Sequence, residues 1–176
     1  QDHKALKFKH ISLKEGLSQS SVLCVLQDKN GFMWFGTRDG LNKYDGNSFK
    51  TYRYSSQDST SLSHSYIKAI FEDDFGDLWI GARNGLNKYI PKSDTFKRFK
   101  SSETENGVAN KRGNIIGEKS ENLWLETNAG LVKLDIKNGE IVQHLYKKGD
   151  STIFTNNLVK VVKKKEDGTF RIETVV

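Results

Sequence analysis

Cysteine and proline are almost absent from this sequence. Each occurs once among 176 residues, as Cys24 and Pro91. One cysteine cannot form a disulfide within the chain, and its place in an apolar run predicts a small buried side chain rather than a reactive thiol. Long apolar runs are absent too: no stretch approaches the length of a membrane-spanning helix, and no signal-like apolar segment opens the chain. The sequence therefore predicts no membrane-spanning segment.

Motifs for catalysis and metal binding are also missing. The four histidines show no metal-binding spacing, and the sequence has neither a Gly-x-Ser-x-Gly elbow nor a phosphate-binding loop. Carboxylates cluster at Glu72-Asp73-Asp74, but this run falls in a predicted turn, where solvated acidic residues are ordinary. We therefore expect no enzyme activity, no cofactor and no metal. A carboxylate pair that the fold brings together for glycoside cleavage remains an open alternative.

Positive charge exceeds negative charge, but it is spread out. The net charge is +6, and the basic residues lie mostly at predicted outer strands and turns, such as 97–98 and 163–165. Charge at such positions discourages pairing between sheet edges. No motif of a nucleic-acid-binding module accompanies it. The pattern favours a solvated β-sheet surface, and we expect no nucleic-acid partner.

What the sequence does contain is a repeat. Trp34, Trp79 and Trp124 are each separated by 45 residues, and segments 31–44 and 76–89 agree at 9 of 14 positions. A period of about 40–45 residues is typical of a four-stranded propeller blade stacked against copies of itself. The repeat therefore predicts a β-propeller architecture.

Each copy predicts four antiparallel strands in the same order. In the first copy an apolar run at 22–26 precedes a turn and the tryptophan strand. An Asp-Gly pair at 39–40 then marks one hairpin, and a second Asp-Gly pair at 45–46 marks another before an alternating strand. Helical periodicity is nowhere sustained. The prediction is an all-β propeller region over 1–176, with the following parts: an outer strand at 5–11, blades at 16–54, 62–99 and 108–146, and a half-blade at 157–176.

The repeated pattern resembles a known family. An apolar strand, an Asp-x-x-Gly turn, a Trp-Phe/Ile-Gly strand and a Gly-Leu-Asn-Lys-Tyr strand follow one another at 16–54 and 62–99, and more weakly at 114–146. This order is similar to the two-component regulator propeller repeat of hybrid two-component systems in gut Bacteroidetes. The resemblance implies a periplasmic sensor region that binds polysaccharide breakdown products and signals through a membrane helix to a histidine kinase. None of the kinase or membrane segments is in this sequence.

The blade count leaves two alternatives for ring closure. Three and a half blades cannot close with normal blade geometry, and an open ring exposes apolar faces and strand edges. Either the chain is a fragment of a larger sensor, or two copies assemble one ring. In the second case the C-terminal half-blade would be completed by the outer strand of a partner, giving eight blades with twofold symmetry. We expect a homo-oligomer or missing blades of a longer chain.

Structural roles are predicted for the repeated aromatic residues and glycines. The three tryptophans recur at one blade position, which indicates packing between adjacent blades. The turn at 74–79 also has the Asp-x-Gly-x-x-Trp spacing of the Asp-box in sialidase propellers, where it stabilises a turn. Glycines are predicted to allow close packing and positive-φ turns. They are Gly36, Gly81, Gly40, Gly85 and Gly130.

Candidate ligand-binding residues lie in connections and at hairpin tips. Arg38, Arg83 and Asn128 follow the tryptophan strands, and Tyr54 begins the connection at 54–61. The arginines could present their planar donors to a ligand or bind carbonyls of a neighbouring blade. Three functions stay open: sensing of an oligosaccharide, protein interaction without a small ligand, and a propeller lyase or glycosidase. We place sensing first.

Overall fold

The computed structural model describes residues 10–99, 114–119, 121–127, 130–137, 141–144, 159–164 and 170–174. Apart from one 3-10 turn at Leu13–Glu15, the regular structure of these residues is entirely β. The strands are β1 (Val22–Gln27), β2 (Met33–Thr37), β3 (Gly40–Tyr44), β4 (Phe49–Tyr52), β5 (Ile67–Glu72), β6 (Leu78–Ala82), β7 (Gly85–Ile90), β8 (Thr95–Phe99), β9 (Asn114–Lys119), β10 (Asn122–Thr127), β11 (Gly130–Asp135), β12 (Ile141–His144), β13 (Val159–Lys164) and β14 (Phe170–Thr174).

These strands form antiparallel sheets that follow the repeat. The first three sheets each contain four strands, in the orders β1-β2-β3-β4, β5-β6-β7-β8 and β12-β11-β10-β9, and β13 pairs with β14. The first strands lie side by side in chain order, since β1 contacts β5, β5 contacts β9, and β9 contacts β13. This radial order of inner strands confirms the all-β, blade-like fold. Most of the predicted outer strand at 5–11 lies outside the described residues and, like ring closure, stays a prediction.

Adjacent sheets bury apolar side chains between them. Trp34 of the first sheet shares a core cluster with Ile67, Ile80 and Tyr89 of the second. Trp79 of the second sheet in turn shares a cluster with Leu123 of the third. These two tryptophans therefore lie at contacts between one sheet and the next, and both are fully buried. Trp124 is half-buried in β10.

Six residues before each of the first two tryptophans lies an aspartate. Its carboxylate accepts hydrogen bonds from the indole N–H and from the backbone of a turn. Asp73 Oδ2 accepts from Trp79 Nε1 at 2.8 Å, and its Oδ1 accepts from the backbone of Phe75 and Asp77. Asp28 does the same for Trp34, at 2.7 Å. Asp73 is only 1% exposed. The prediction that its acidic run is solvated was therefore wrong for Asp73, whose carboxylate stabilises the turn.

Gly36 sits where two inner strands approach closely. A Cβ at this position would lie 2.4 Å from Cys24 Sγ and 2.7 Å from Ile67 Cγ2, so only glycine fits between β1 and β5. Cys24 itself is half-buried. Burial raises the pKa of its thiol to about 11, which keeps the thiol protonated at neutral pH. At the hairpin ends Gly40 and Gly85 adopt positive φ, and Gly81 is buried in β6.

Candidate functional site

The β2–β3 and β6–β7 hairpins place the predicted ligand-binding arginines at one end of the sheets. Strand pairing ends at Thr37 opposite Gly40 and at Ala82 opposite Gly85, so the intervening residues form the tips. The β1–β2 and β3–β4 turns lie at the other end, because antiparallel turns alternate. We call the end that carries Arg38 and Arg83 the hairpin-tip face.

The backbone anchors both tips, and their arginine side chains stay exposed. Arg83 N donates to Tyr66 O at 2.9 Å, and Gly40 N donates to Ser65 O at 2.7 Å. Both acceptors lie in the connection that enters β5, so this connection is tied to the tips of the first two sheets. Within the described part of the chain, neither arginine side chain has a hydrogen bond or ion pair, and both are exposed. Their donors are therefore available to a ligand.

Tyr54 lies at the start of the same connection. Its backbone N–H donates to Ser65 Oγ at 3.1 Å, and the residue is 46% exposed. The guanidinium carbon of Arg98 lies 5.3 Å from the ring centroid, within cation–π range. The ring is thus held in place and still presents a face to solvent. The fourth predicted residue, Asn128, lies outside the described residues.

Arg98 organises the connection, a role that sequence reasoning missed. Its guanidinium donates to the carbonyl oxygens of Ser61 at 2.7 Å, Asp58 at 2.6 Å and Ser55 at 3.1 Å. The sequence pattern predicts that Arg98 is one of the solvated charges of an outer strand. That prediction is wrong, because the residue is half-buried and its guanidinium binds these carbonyls. No sequence signal could have found it: Arg53, at the same repeat position, instead pairs with Asp39.

Positive charge collects around Arg83. His64 Nδ1 accepts from Tyr66 N at 2.8 Å, which holds the ring beside the hairpin-tip face. Burial lowers the pKa of His64, and the positive charges of Arg83 and Lys68 lower it further. The imidazole is therefore neutral at pH 7 beside two cations. The cations of this neighbourhood can bind hydroxyl groups and anions. In the described residues no three His, Cys, Asp or Glu side chains form a group that could hold a metal ion.

The radial arrangement of four-stranded antiparallel sheets defines a β-propeller. Two segments, residues 16–39 and 61–84, match the family model of the two component regulator propeller. Both matched segments lie in the repeats whose sequence resembles that family, so the match confirms the resemblance there. The described residues contain no helix with the length and apolarity needed to cross a membrane.

Individual relatives agree with the family match. A histidine kinase of Formosa agariphila is 58% identical over 55 residues, which are 31% of this chain and 4% of that protein. The extracellular domain of a protein described as a hybrid two-component system, from B. thetaiotaomicron, is 28% identical with a TM-score of 0.81, over 95% of this chain and 24% of that one. A virginiamycin B lyase from Staphylococcus aureus shares the fold alone, at 15% identity and a TM-score of 0.58, over 86% of this chain and 48% of that one. This chain thus spans a small part of the first two relatives.

Proposed function

We propose that this chain is part of the periplasmic sensor region of a two-component signalling protein and recognises breakdown products of complex polysaccharides. The observation that carries the proposal is the likeness to an extracellular two-component domain along 95% of the chain, together with two repeats of the regulator propeller family. The signal would pass to a histidine kinase, the activity named for the relative from Formosa agariphila. We propose no catalytic role for this chain.

The hairpin-tip face supplies the chemistry that such recognition needs. Arg38 and Arg83 occupy the same position in adjacent blades and present planar, fixed donors that suit hydroxyl and carboxylate oxygens. Tyr54 adds an exposed aromatic face on which the apolar side of a sugar ring can pack. Because the backbone anchors both tips, binding would cost little ordering entropy. A sugar chain that bridges two tips would couple neighbouring blades.

The test is a thermal-shift screen of the chain against neutral and acidic oligosaccharides from plant and algal polysaccharides. We expect one oligosaccharide to raise Tm by several degrees, because a ligand that binds only the folded state stabilises it. Arg83→Ala should remove most of that shift. Lys92→Ala, an exposed cation in the turn at the opposite end of the second sheet, is the matched control and should leave the shift unchanged.

Two results would contradict the proposal. If no oligosaccharide stabilises the chain, or if Arg83→Ala and Lys92→Ala behave alike, the hairpin-tip face is not the recognition surface. Turnover of the stabilising oligosaccharide, seen as new reducing ends, would instead support the enzyme alternative.

A further inference from the structure

We propose that a second site, at the end of the sheets opposite the hairpin-tip face, binds a carboxylate-bearing sugar through Lys43. The site is a cavity of about 420 Å³ between the first two sheets, next to the β3–β4 and β7–β8 turns. This volume falls within the range of small-molecule pockets in proteins. We call it the turn-side cavity, and its lining includes Phe32, Lys43, Asp45, Lys50, Tyr52, Tyr89 and Asp94.

In one wall of the turn-side cavity, hydrogen bonds and an ion pair balance the charge of Asp94. Asp94 Oδ1 accepts from the hydroxyl groups of Tyr52 at 2.6 Å and Tyr89 at 2.5 Å, and Lys50 pairs with Oδ2. Burial opposes ionisation of Asp94, but these three donors outweigh it and lower its pKa to about 2. The carboxylate is therefore ionised and already satisfied. The wall offers aromatic rings and tyrosine oxygens to a ligand rather than an unbalanced negative charge.

Lys43 and Asp45 lie on the other wall. The Asp45 carboxylate accepts from the backbone of Asn47 and Ser48 and from Ser48 Oγ, so its hydrogen bonds hold its own turn. The ammonium nitrogen of Lys43 lies 3.8 Å from the centroid of the Phe32 ring, 5.3 Å from that of Trp34 and 5.6 Å from that of Tyr89. Within the described ranges no ion pair involves Lys43, and the residue is half-buried. Aromatic faces stabilise a cation only partly. An anion that enters the cavity would gain a charge-assisted hydrogen bond in a partly desolvated place.

In the second repeat, a carboxylate neutralises the lysine that corresponds to Lys43. Lys88 occupies the position of Lys43 and lies over Trp79 at 5.3 Å, as Lys43 lies over Trp34. Lys88 is paired with Asp77. The residue of the first repeat that corresponds to Asp77 is Phe32. Replacement of that carboxylate by an aromatic ring leaves Lys43 unneutralised at the wall of the cavity, and a ligand carboxylate can take the missing place.

The class of ligand follows from the two walls together. A carboxylate suits Lys43, ring hydroxyl groups suit the tyrosine oxygens and Lys50, and the apolar side of a pyranose ring suits the half-buried Phe32. A hexuronate combines these groups in one ring. The sugar part of this inference rests on the proposed function, whereas the carboxylate part rests on the contacts of Lys43.

The test titrates the full 176-residue chain with sodium D-glucuronate, D-glucose and sodium acetate at matched ionic strength, followed by NMR. We expect saturable shifts with glucuronate and at least about tenfold weaker binding of the other two. Glucose lacks the carboxylate that would bind Lys43, and acetate lacks the sugar ring that would contact Phe32 and the tyrosine oxygens. Lys43→Met should weaken glucuronate binding about tenfold or more. Lys88→Met, which removes the paired lysine of the second repeat, should not.

A second variant keeps the test independent of folding defects. Phe32→Asp places a carboxylate next to Lys43, as Asp77 lies next to Lys88 in the second repeat. It should therefore neutralise Lys43 without removing it and abolish glucuronate binding in a folded chain. Absence of saturable shifts, equal effects of Lys43→Met and Lys88→Met, or unchanged binding by Phe32→Asp would overturn the proposal. Acetate binding as tight as glucuronate would overturn its sugar part. Because Arg83→Ala probes the opposite end of the sheets, failure of the hairpin-tip face gives a separate result.

Discussion

At the scale of single residues, one carboxylate in each of the first two repeats performs two tasks, and it is half-buried in the first repeat and buried in the second. Asp73 binds the indole N–H of Trp79 and two backbone N–H groups of its own turn. An isolated buried carboxylate would be costly, but three donors compensate it. The same atoms therefore close the β5–β6 turn and set the tryptophan that packs between sheets. In the third repeat Glu118 stands at this position in the sequence.

Asp73→Ala should destabilise the chain by about 3 kcal/mol, because it leaves buried donors unsatisfied at roughly 1–3 kcal/mol each. Urea unfolding followed by tryptophan fluorescence measures this change. Asp74→Ala is the neighbouring control at an exposed position and should change stability by less than about 0.5 kcal/mol. Equal effects of the two variants would contradict the assigned role of Asp73.

At the scale of the element, a buried amide joins the entry of each of the first two blades to the third strand of that blade. Asn87 in β7 accepts from Ser63 N at 2.8 Å and donates to Ser63 Oγ at 3.0 Å and to Ile80 O at 3.1 Å. Asn42 and Ser18 repeat this arrangement in the first sheet. In the third repeat the two positions hold Val132 and Val108, so both partners are apolar together. The pair therefore behaves as one unit of the blade.

A double-mutant cycle on Ser63 and Asn87 tests this unit. Asn87→Val alone should cost about 2 kcal/mol, since it strands the buried donors and acceptors that the amide serves. Ser63→Val should destabilise the Asn87→Val chain less than it destabilises the wild-type chain. We expect a coupling energy of about 1 kcal/mol from urea unfolding of the four chains. Strict additivity of the two changes would show that the pair does not act together.

At the scale of the whole molecule, the first sheet has an uncovered face. Val25 in β1 is 53% exposed and its neighbours Val22 and Leu23 are also exposed, whereas Ile67 and Ile70 of β5 are packed against the first sheet. Large exposed apolar surface marks a contact site. A second copy of the chain that closes the ring, as the count of blades suggested, stays our proposal for what covers it.

Light scattering coupled to size-exclusion chromatography should therefore report a dimer that Val25→Lys converts to monomer without loss of folding, because a charge on β1 would oppose burial of that face. Leu13→Lys, an exposed apolar residue outside the strands, is the control and should leave the dimer intact. A monomer at high concentration would remove the dimeric ring and leave further blades of a longer chain as the alternative.

The repeat made much of this fold predictable. The 45-residue spacing, the Asp-Gly hairpins and the apolar first strands indicate the strand order of each blade. They did so because blade geometry is set by short-range turns and by a periodic apolar pattern. The residues of the candidate site were harder to predict from the sequence than the strands were. Exposure of Arg38 and Arg83 agrees with the positions predicted for them, but the clamp formed by Arg98 depends on a loop about forty residues earlier in the chain.

The sequence by itself determined which segments become strands, where they turn and that successive units stack, because each of these depends on neighbouring residues and on a repeated apolar face. Only the tertiary structure decided which polar side chains are buried and which charges are balanced. Lys43 and Lys88 look equivalent in the sequence, yet one faces aromatic rings at a cavity and the other pairs with Asp77. The difference arises because the surroundings of a side chain come from strands and sheets that are distant along the chain and meet only in the folded molecule.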